Sequence, residues 1–168
     1  MRFKDEIRLL LPELRAYAFS ICERRDDAED LVQDAVARAL TAGQPPEILE
    51  QLRPWMFRII RNLHYDELRK MRVRREYLAR EKRLYDEYPG TPDRSGDILV
   101  RLAFEGLPPD TREVLFLIDI MGLKYKEAAL VMNVPQGTVM SRISRARRAL
   151  LERIEGKTDE KAKVSHLK

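Results

Sequence analysis

The stretch GLKYKEAALVMNVPQGTVMSRISRARRAL, residues 122 to 150, decides how this chain is read. Tyr125 to Met132 forms one helical segment, Asn133 marks a turn, and Pro135 opens a second helix that the pattern carries to about Ile154. Asparagine tolerates the left-handed conformation that a tight turn between helices asks for, and proline suits the first helical turn, where its missing donor is not needed. This is helix-turn-helix grammar. On a wheel centred at Val139, the residues Ile143, Ala146 and Leu150 share the inner face, while Gly137, Ser141, Ser144 and Arg148 point the other way with Arg145 at the edge. Arg142, Arg145, Arg147 and Arg148 lie between Gln136 and Leu151, which holds no acid. Small residues admit a groove closely and guanidinium groups suit guanine edges or phosphates, so DNA recognition is favoured over a merely solvated basic face.

Working backwards, Thr111 to Met121 reads as a buried helix stopped by Gly122, and Ile98 to Phe104 as a short one, with Gly106-Leu-Pro-Pro a turn between them. Residues 85–98 (YDEYPGTPDRSGDI) have two prolines, two glycines and no periodicity, so they read as an interdomain linker. The domains expected are 1–84 and 99–156, with a polar tail at 157–168 that should fray. Arg53-Pro54 opens a helix whose apolar stripe is Leu52, Trp55, Ile59 and Leu63. Leu68 falls on the opposite side, which predicts a bend or short loop around His64, Tyr65 and Asp66. From Arg53 to Arg83 there are eleven basic residues against four acids, interleaved with Trp55, Phe57, His64 and Tyr65. Such a track suits opened or single-stranded nucleic acid, though for His64 and Tyr65 spacing alone leaves contact and loop filler evenly matched.

Further upstream the charge inverts: Glu23, Asp26, Asp27, Glu29, Asp30 and Asp34 face only Arg24 and Arg25. Asp30, Gln33 and Asp34 sit at i, i+3 and i+4 on one helix face, either as a solvated surface or as a docking face for a basic protein partner. That helix starts at Asp27, buries Leu31, Ala35, Val36, Ala39 and Leu40, and stops at Gly43, Pro45 and Pro46. A first helix precedes it on Leu10, Leu14, Ala18 and Ile21, with Pro12 marking either a kink or its start. Strand-like alternation is not evident, so the expected class is all-α, two small helical domains joined by a flexible linker.

Composition excludes several alternatives. The 168 residues carry 32 Lys or Arg against 28 Asp or Glu, a net charge of +4, with 44% apolar and 36% charged residues, enough apolar mass for a core but too short a chain for a large barrel enzyme. The longest apolar run, Val114 to Ile118, is far short of a membrane span, and charges at Arg2, Lys4, Asp5, Glu6 and Arg8 leave no signal-peptide core, so a soluble, cytoplasmic protein without membrane insertion is expected. One cysteine, Cys22, and two histidines, His64 and His166, make no zinc set, and isolated glycines write neither a dinucleotide fingerprint nor a P-loop. Neither metal nor other cofactor is called for. Ser141 and Ser144 have no base at triad spacing, and the expectation is a protein without chemistry of its own.

The segments DDAEDLVQDAVARAL (26–40), PWMFRIIRNLHYDELRK (54–70), LPPDTREVLFL (107–117) and the helix-turn-helix stretch, taken in order, resemble an extracytoplasmic-function (group 4) sigma factor of bacterial RNA polymerase. The resemblance implies a first domain, regions 2.1 to 2.4, that binds the clamp helices of the polymerase's largest subunit through Asp30, Gln33 and Asp34. It implies that Asn62, His64, Tyr65, Asp66 and Arg69 take an unstacked base of the minus-10 element. In the second domain, region 4, it implies reading of the minus-35 element by Gly137, Thr138, Ser141, Arg142, Ser144, Arg145 and Arg148, with Val139 and Arg147 completing the motif, and contact with the flap region of the polymerase. Two positions depart from the family pattern: Met140, often basic in relatives, and Lys124, where Ser or Thr commonly caps the next helix, a loss of about 1 kcal/mol if nothing replaces it. The resemblance further implies an anti-sigma factor as partner. The rival readings are a stand-alone helix-turn-helix regulator and a sigma-mimic that titrates an anti-sigma factor, against which the arginines of the last helix speak.

Overall fold

In the computed structural model, residues 3–78 and 97–165 are described, with side chains at 3–77 and 99–156. Among them every regular element is helical: α1 (Phe3–Ile21), α2 (Arg25–Thr41), α3 (Leu49–Leu78), α4 (Asp97–Glu105), α5 (Pro109–Leu115), a π-helical turn (Phe116–Ile120), α6 (Tyr125–Met132) and α7 (Gln136–Ser165). None of the helices among the described residues is long and apolar enough to cross a membrane.

α1 runs straight through Pro12, which is exposed, and buries Ile7, Leu10, Leu14, Tyr17 and Ala18. α2 begins two residues ahead of Asp27, with Asp26 and Asp27 in its first turn where the helix dipole favours negative charge. Leu31, Ala35 and Ala39 are buried as the pattern predicts, but Leu40 is 45% exposed. Its position lies a full 100° round the wheel from Ala39, away from the buried stripe.

Two sequence expectations fail in α3. The helix opens at Leu49, not at Arg53-Pro54, because the Ile48 carbonyl already accepts from Gln51 N–H (2.9 Å) and Leu52 N–H (3.1 Å). Pro54 sits inside the helix, and the carbonyl its missing N–H leaves free belongs to exposed Glu50, where water can satisfy it. Nor is there a bend or loop at His64, Tyr65 and Asp66: the helix continues to Leu78, about 45 Å in all. The slip in apolar phase marks where the helix leaves the body, not where it breaks. Leu68, Met71, Val73 and Tyr77 are all exposed, and an Arg72–Glu76 pair one turn apart supports the bare segment.

Residues 85–96 of the expected linker lie outside the described residues, and its last two, Asp97 and Ile98, open α4. In α5 Pro109 occupies the first helical turn, and the buried run continues as a π turn in which Met121 N–H reaches the Phe116 carbonyl (2.8 Å). Gly122, at φ 68°, then ends it. Asn133 is left-handed (φ 53°, ψ 49°) and α7 follows Pro135, as the turn chemistry predicts. Lys124 does stand at the head of α6, and a lysine side chain cannot accept; instead the Glu127 carboxylate takes the Lys124 backbone N–H (2.7 Å), the return half of a capping box. α7 reaches Ser165 rather than fraying after Gly156, since Lys, Glu and Ala in that stretch are strong helix formers.

Asn133→Ile should destabilise by about 1 to 2 kcal/mol, because a β-branched side chain is strained at positive φ, while Asn133→Gly should stay near neutral. Urea unfolding of the two variants checks this.

The halves do not stand apart. α6 packs on α3, and α1 meets α5 and the π turn, so one continuous core runs from Ile7 to Ala146. Tyr17 lies at its crossing, with the Phe57 ring at 4.9 Å and the Phe116 ring stacked at 6.2 Å. Trp55 is only half-buried, against Phe3 at 6.4 Å; the deeper residues of α3 are Leu52, Met56, Phe57 and Ile60.

Candidate functional site

Three surfaces can be built from these elements. The first is the outer face of α7. Val139, Ile143 and Ala146 are buried beneath it, which fixes the helix rotation, and Gly137, Ser141, Ser144, Arg145 and Arg148 are exposed. Thr138 and Arg142 are half-buried at its margins. The Ser141 hydroxyl donates to the Thr138 carbonyl (3.1 Å) and Arg145 Nε to the Ser141 carbonyl (3.3 Å), so the small residues lie flat and one guanidinium is held along the helix. A Cβ at Gly137 would meet nothing within 4 Å, so the space above it is open. Arg147 differs from its neighbours: it grips Asp119 of the π turn through Nε (3.0 Å) and Nη2 (2.6 Å). Those hydrogen bonds hold its pKa above the ordinary arginine range. Arg147 therefore anchors α7 to the π turn, while Arg145 and Arg148 remain turned to solvent. Met140, half-exposed, adds an apolar patch where a cation would extend the face.

The second surface is on α2. Asp30, Gln33 and Asp34 are all exposed, and among the described residues neither aspartate is in an ion pair; Glu29 beside them pairs with Arg15 at 3.4 Å. The structure thus brings the three together as one exposed strip, two aspartates with a glutamine between them.

The third, on α3, is not the set the sequence suggests. Asn62 and Arg69 are exposed, and Arg69 bonds Asp66 one turn back. His64 and Tyr65 are half-buried and packed edge to face at 5.5 Å, and Tyr65 turns its hydroxyl to Glu113 of the second half of the chain. Burial lowers the His64 pKa and pushes the Tyr65 phenol up to about 12, the latter reinforced by the charge of Glu113. His64 Nδ1 lies 3.8 Å from Cys22 Sγ. Burial, then the charge of Asp27, pushes that thiol up to about 11, away from the thiolate form.

Sequence reasoning missed the group that organises this region. Glu113 of α5 is 2% exposed, and its Oε1 accepts from the Tyr17 hydroxyl (2.6 Å) and from Arg61 Nε (2.8 Å). Tyr65 and the second Arg61 nitrogen approach Oε2 at 3.5 Å. The Arg61 guanidinium covers the Tyr65 ring at 4.4 Å. The signal available in sequence was a lone acid one turn before Phe116 and Leu117, on the face those residues bury. A second link joins the halves where Arg53 pairs with Glu13 (2.5 Å) and bonds the Met121 carbonyl.

Two family models match the chain in order, Sigma-70 region 2 over residues 7–74 and Sigma-70 region 4 over residues 98–150. The ECF RNA polymerase sigma factor EcfG of Rhodopseudomonas palustris is 34% identical over 150 residues, spanning 88% of this chain and 82% of that protein. The ECF RNA polymerase sigma factor SigC of Mycobacterium tuberculosis is 34% identical over 126 residues, 74% of this chain and 68% of that one. Among solved structures, the sigma factor RpoE of Bartonella quintana in complex with the anti-sigma factor NepR is similar at 32% identity and a TM-score of 0.70, covering 91% of this chain and 96% of that one. Both modules in sequence order, a helix-turn-helix with an exposed arginine face, and relatives matched over most of their length lead to one conclusion: the chain belongs to the ECF RNA polymerase sigma factors of the sigma-70 family.

Proposed function

We propose that this protein docks on core RNA polymerase through the α2 strip, reads a minus-35 element with the outer face of α7, and takes an opened minus-10 strand along α3. The observation that carries this reading is the separation of charge between two faces of the packed helices: an acidic strip at Asp30 and Asp34, which are in no ion pair among the described residues, and an arginine face at Arg145 and Arg148 in a stretch that holds no acid. The acidic strip repels DNA and suits a basic protein surface; the arginine face does the reverse. Gly137, Thr138, Ser141, Arg142 and Ser144 supply close approach and polar contacts beside the two arginines. Asn62 and Arg69 offer the exposed polar groups on α3, with His64 and Asp66 beside them, while Tyr65 serves the strand only once Glu113 of region 4 moves off it. The flap region of the polymerase is the further contact for region 4, and work beside the polymerase places the protein in the cytoplasm.

An anti-sigma factor belongs to this reading because RpoE of Bartonella quintana, which is similar over both halves, is in complex with one. In this arrangement region 4 covers part of α3, so a partner that binds both halves together would favour the covered form and polymerase the opened one.

Asp30→Ala with Asp34→Ala should lower the affinity for purified core polymerase by about thirtyfold or more, the effect of removing two charges that face a basic surface. Binding to a minus-35 duplex should not change. An unchanged core titration rejects the docking face.

A further inference from the structure

The Glu113 cluster does more than pack. Breaking a buried charge pair leaves one charge unpartnered in a site shaped around the other, so the pair either stays closed or finds a substitute. Arg61 sits on α3 immediately before Asn62, only 16% exposed at its side chain, with its guanidinium over Tyr65 one turn on. With α5 withdrawn, α3 presents a cation and a ring stacked at i and i+4, with no counter-charge from its own helix between them. That pairing has the chemistry of a nucleic-acid contact: a guanidinium for a phosphate, an aromatic face for an unstacked base. The carboxylate now held there offers the same two anionic oxygens that a phosphate would.

We infer that Arg61 and Tyr65 form a contact site for single-stranded DNA, and that Glu113 of region 4 occupies it in the closed arrangement as an internal stand-in for the phosphate. The inference rests on the promoter-binding reading above. Strand binding and closure then exclude each other, and each weakens the other by the same factor. The Tyr17 hydroxyl serves the closed form, since its hydrogen bond among the described residues is to the carboxylate, while its ring stays in the core against Phe57.

The test uses the full chain with Cys22→Ser, and spin labels on cysteines placed at the exposed positions Ala37 and Glu155. The probe is a fluorescent mixed-sequence single strand of about twelve nucleotides, titrated by anisotropy over a range of salt. Glu113→Gln should lengthen and broaden the label distance and tighten strand binding about threefold or more. Adding Arg61→Ala should cancel that gain and reduce the slope of log affinity against log salt by about 0.7, the value for one phosphate contact on a single strand. Tyr17→Phe, which removes a donor but no charge, should move both read-outs the same way by less, and it keeps the test alive if Glu113→Gln folds poorly. Label distances unchanged in both variants would overturn the latch. Longer distances with an affinity and salt slope indifferent to Arg61 would overturn the contact site. Longer distances with no strand binding by any variant would overturn the promoter-binding reading and the contact site with it, leaving Glu113 as a latch only.

Discussion

Arg145→Ala combined with Arg148→Ala should weaken binding to a minus-35 duplex by about 2 to 6 kcal/mol, since each arginine that bonds a base edge or phosphate contributes about 1 to 3 kcal/mol. Both side chains are exposed and in no ion pair among the described residues, so the substitution removes their hold on DNA without stripping support from the fold. Arg147 provides the control. Its guanidinium is committed to Asp119 in a bidentate pair at the surface, and Arg147→Ala should cost stability, by about 1 kcal/mol at most, more than it costs base discrimination. Duplex titration at fixed salt distinguishes the two, and core binding should be the same in all three proteins. Equal duplex affinity in the double variant would remove the arginine face from the account.

Phe57→Ala should destabilise the chain by about 3 to 5 kcal/mol, the range for truncating a buried aromatic whose cavity cannot collapse. Phe57 is fully buried, its ring lies 4.9 Å from Tyr17, and the Arg53 guanidinium sits over the ring at 5.8 Å. Because Tyr17 also stacks on Phe116 and bonds Glu113, the loss should be felt in both halves. Urea unfolding followed by circular dichroism should show one transition shifted to lower denaturant. Two separated transitions, with only the region 2 half affected, would contradict the continuous core.

What was legible in the sequence was what local chemistry decides. Asn133 and Pro135 mark the turn before α7 by their own backbone preferences, and Val139, Ile143 and Ala146 set the helix rotation, so the arginine face follows without any distant partner. The α2 strip is readable for the same reason: i, i+3 and i+4 share a face in any helix. α3 was misread where a local rule met a tertiary fact. Proline is common at the first helical position, yet Pro54 lies five residues in, and a stripe that ends at Leu63 looks like a break until the helix is seen leaving the body at Leu68. Glu113 showed in the sequence only as an acid on a buried face, and pattern reading could not name its partners, because Tyr17, Tyr65 and Arg61 stand 96, 48 and 52 residues away. The loop expected at His64 and Tyr65 would have exposed them; the continuous helix instead sets His64 against Cys22 and Tyr65 against Glu113.

If this chain confers promoter choice on a polymerase, the choice is read directly in where transcripts begin. Purified core polymerase should be given a pool of duplex templates with a randomised upstream region, with and without the chain, and the transcripts sequenced from their 5′ ends. Starts should depend on the chain and lie a fixed distance downstream of two enriched sequence blocks, one of which disappears with Arg145→Ala and Arg148→Ala. Transcripts identical with and without a chain that still binds core would contradict promoter choice outright.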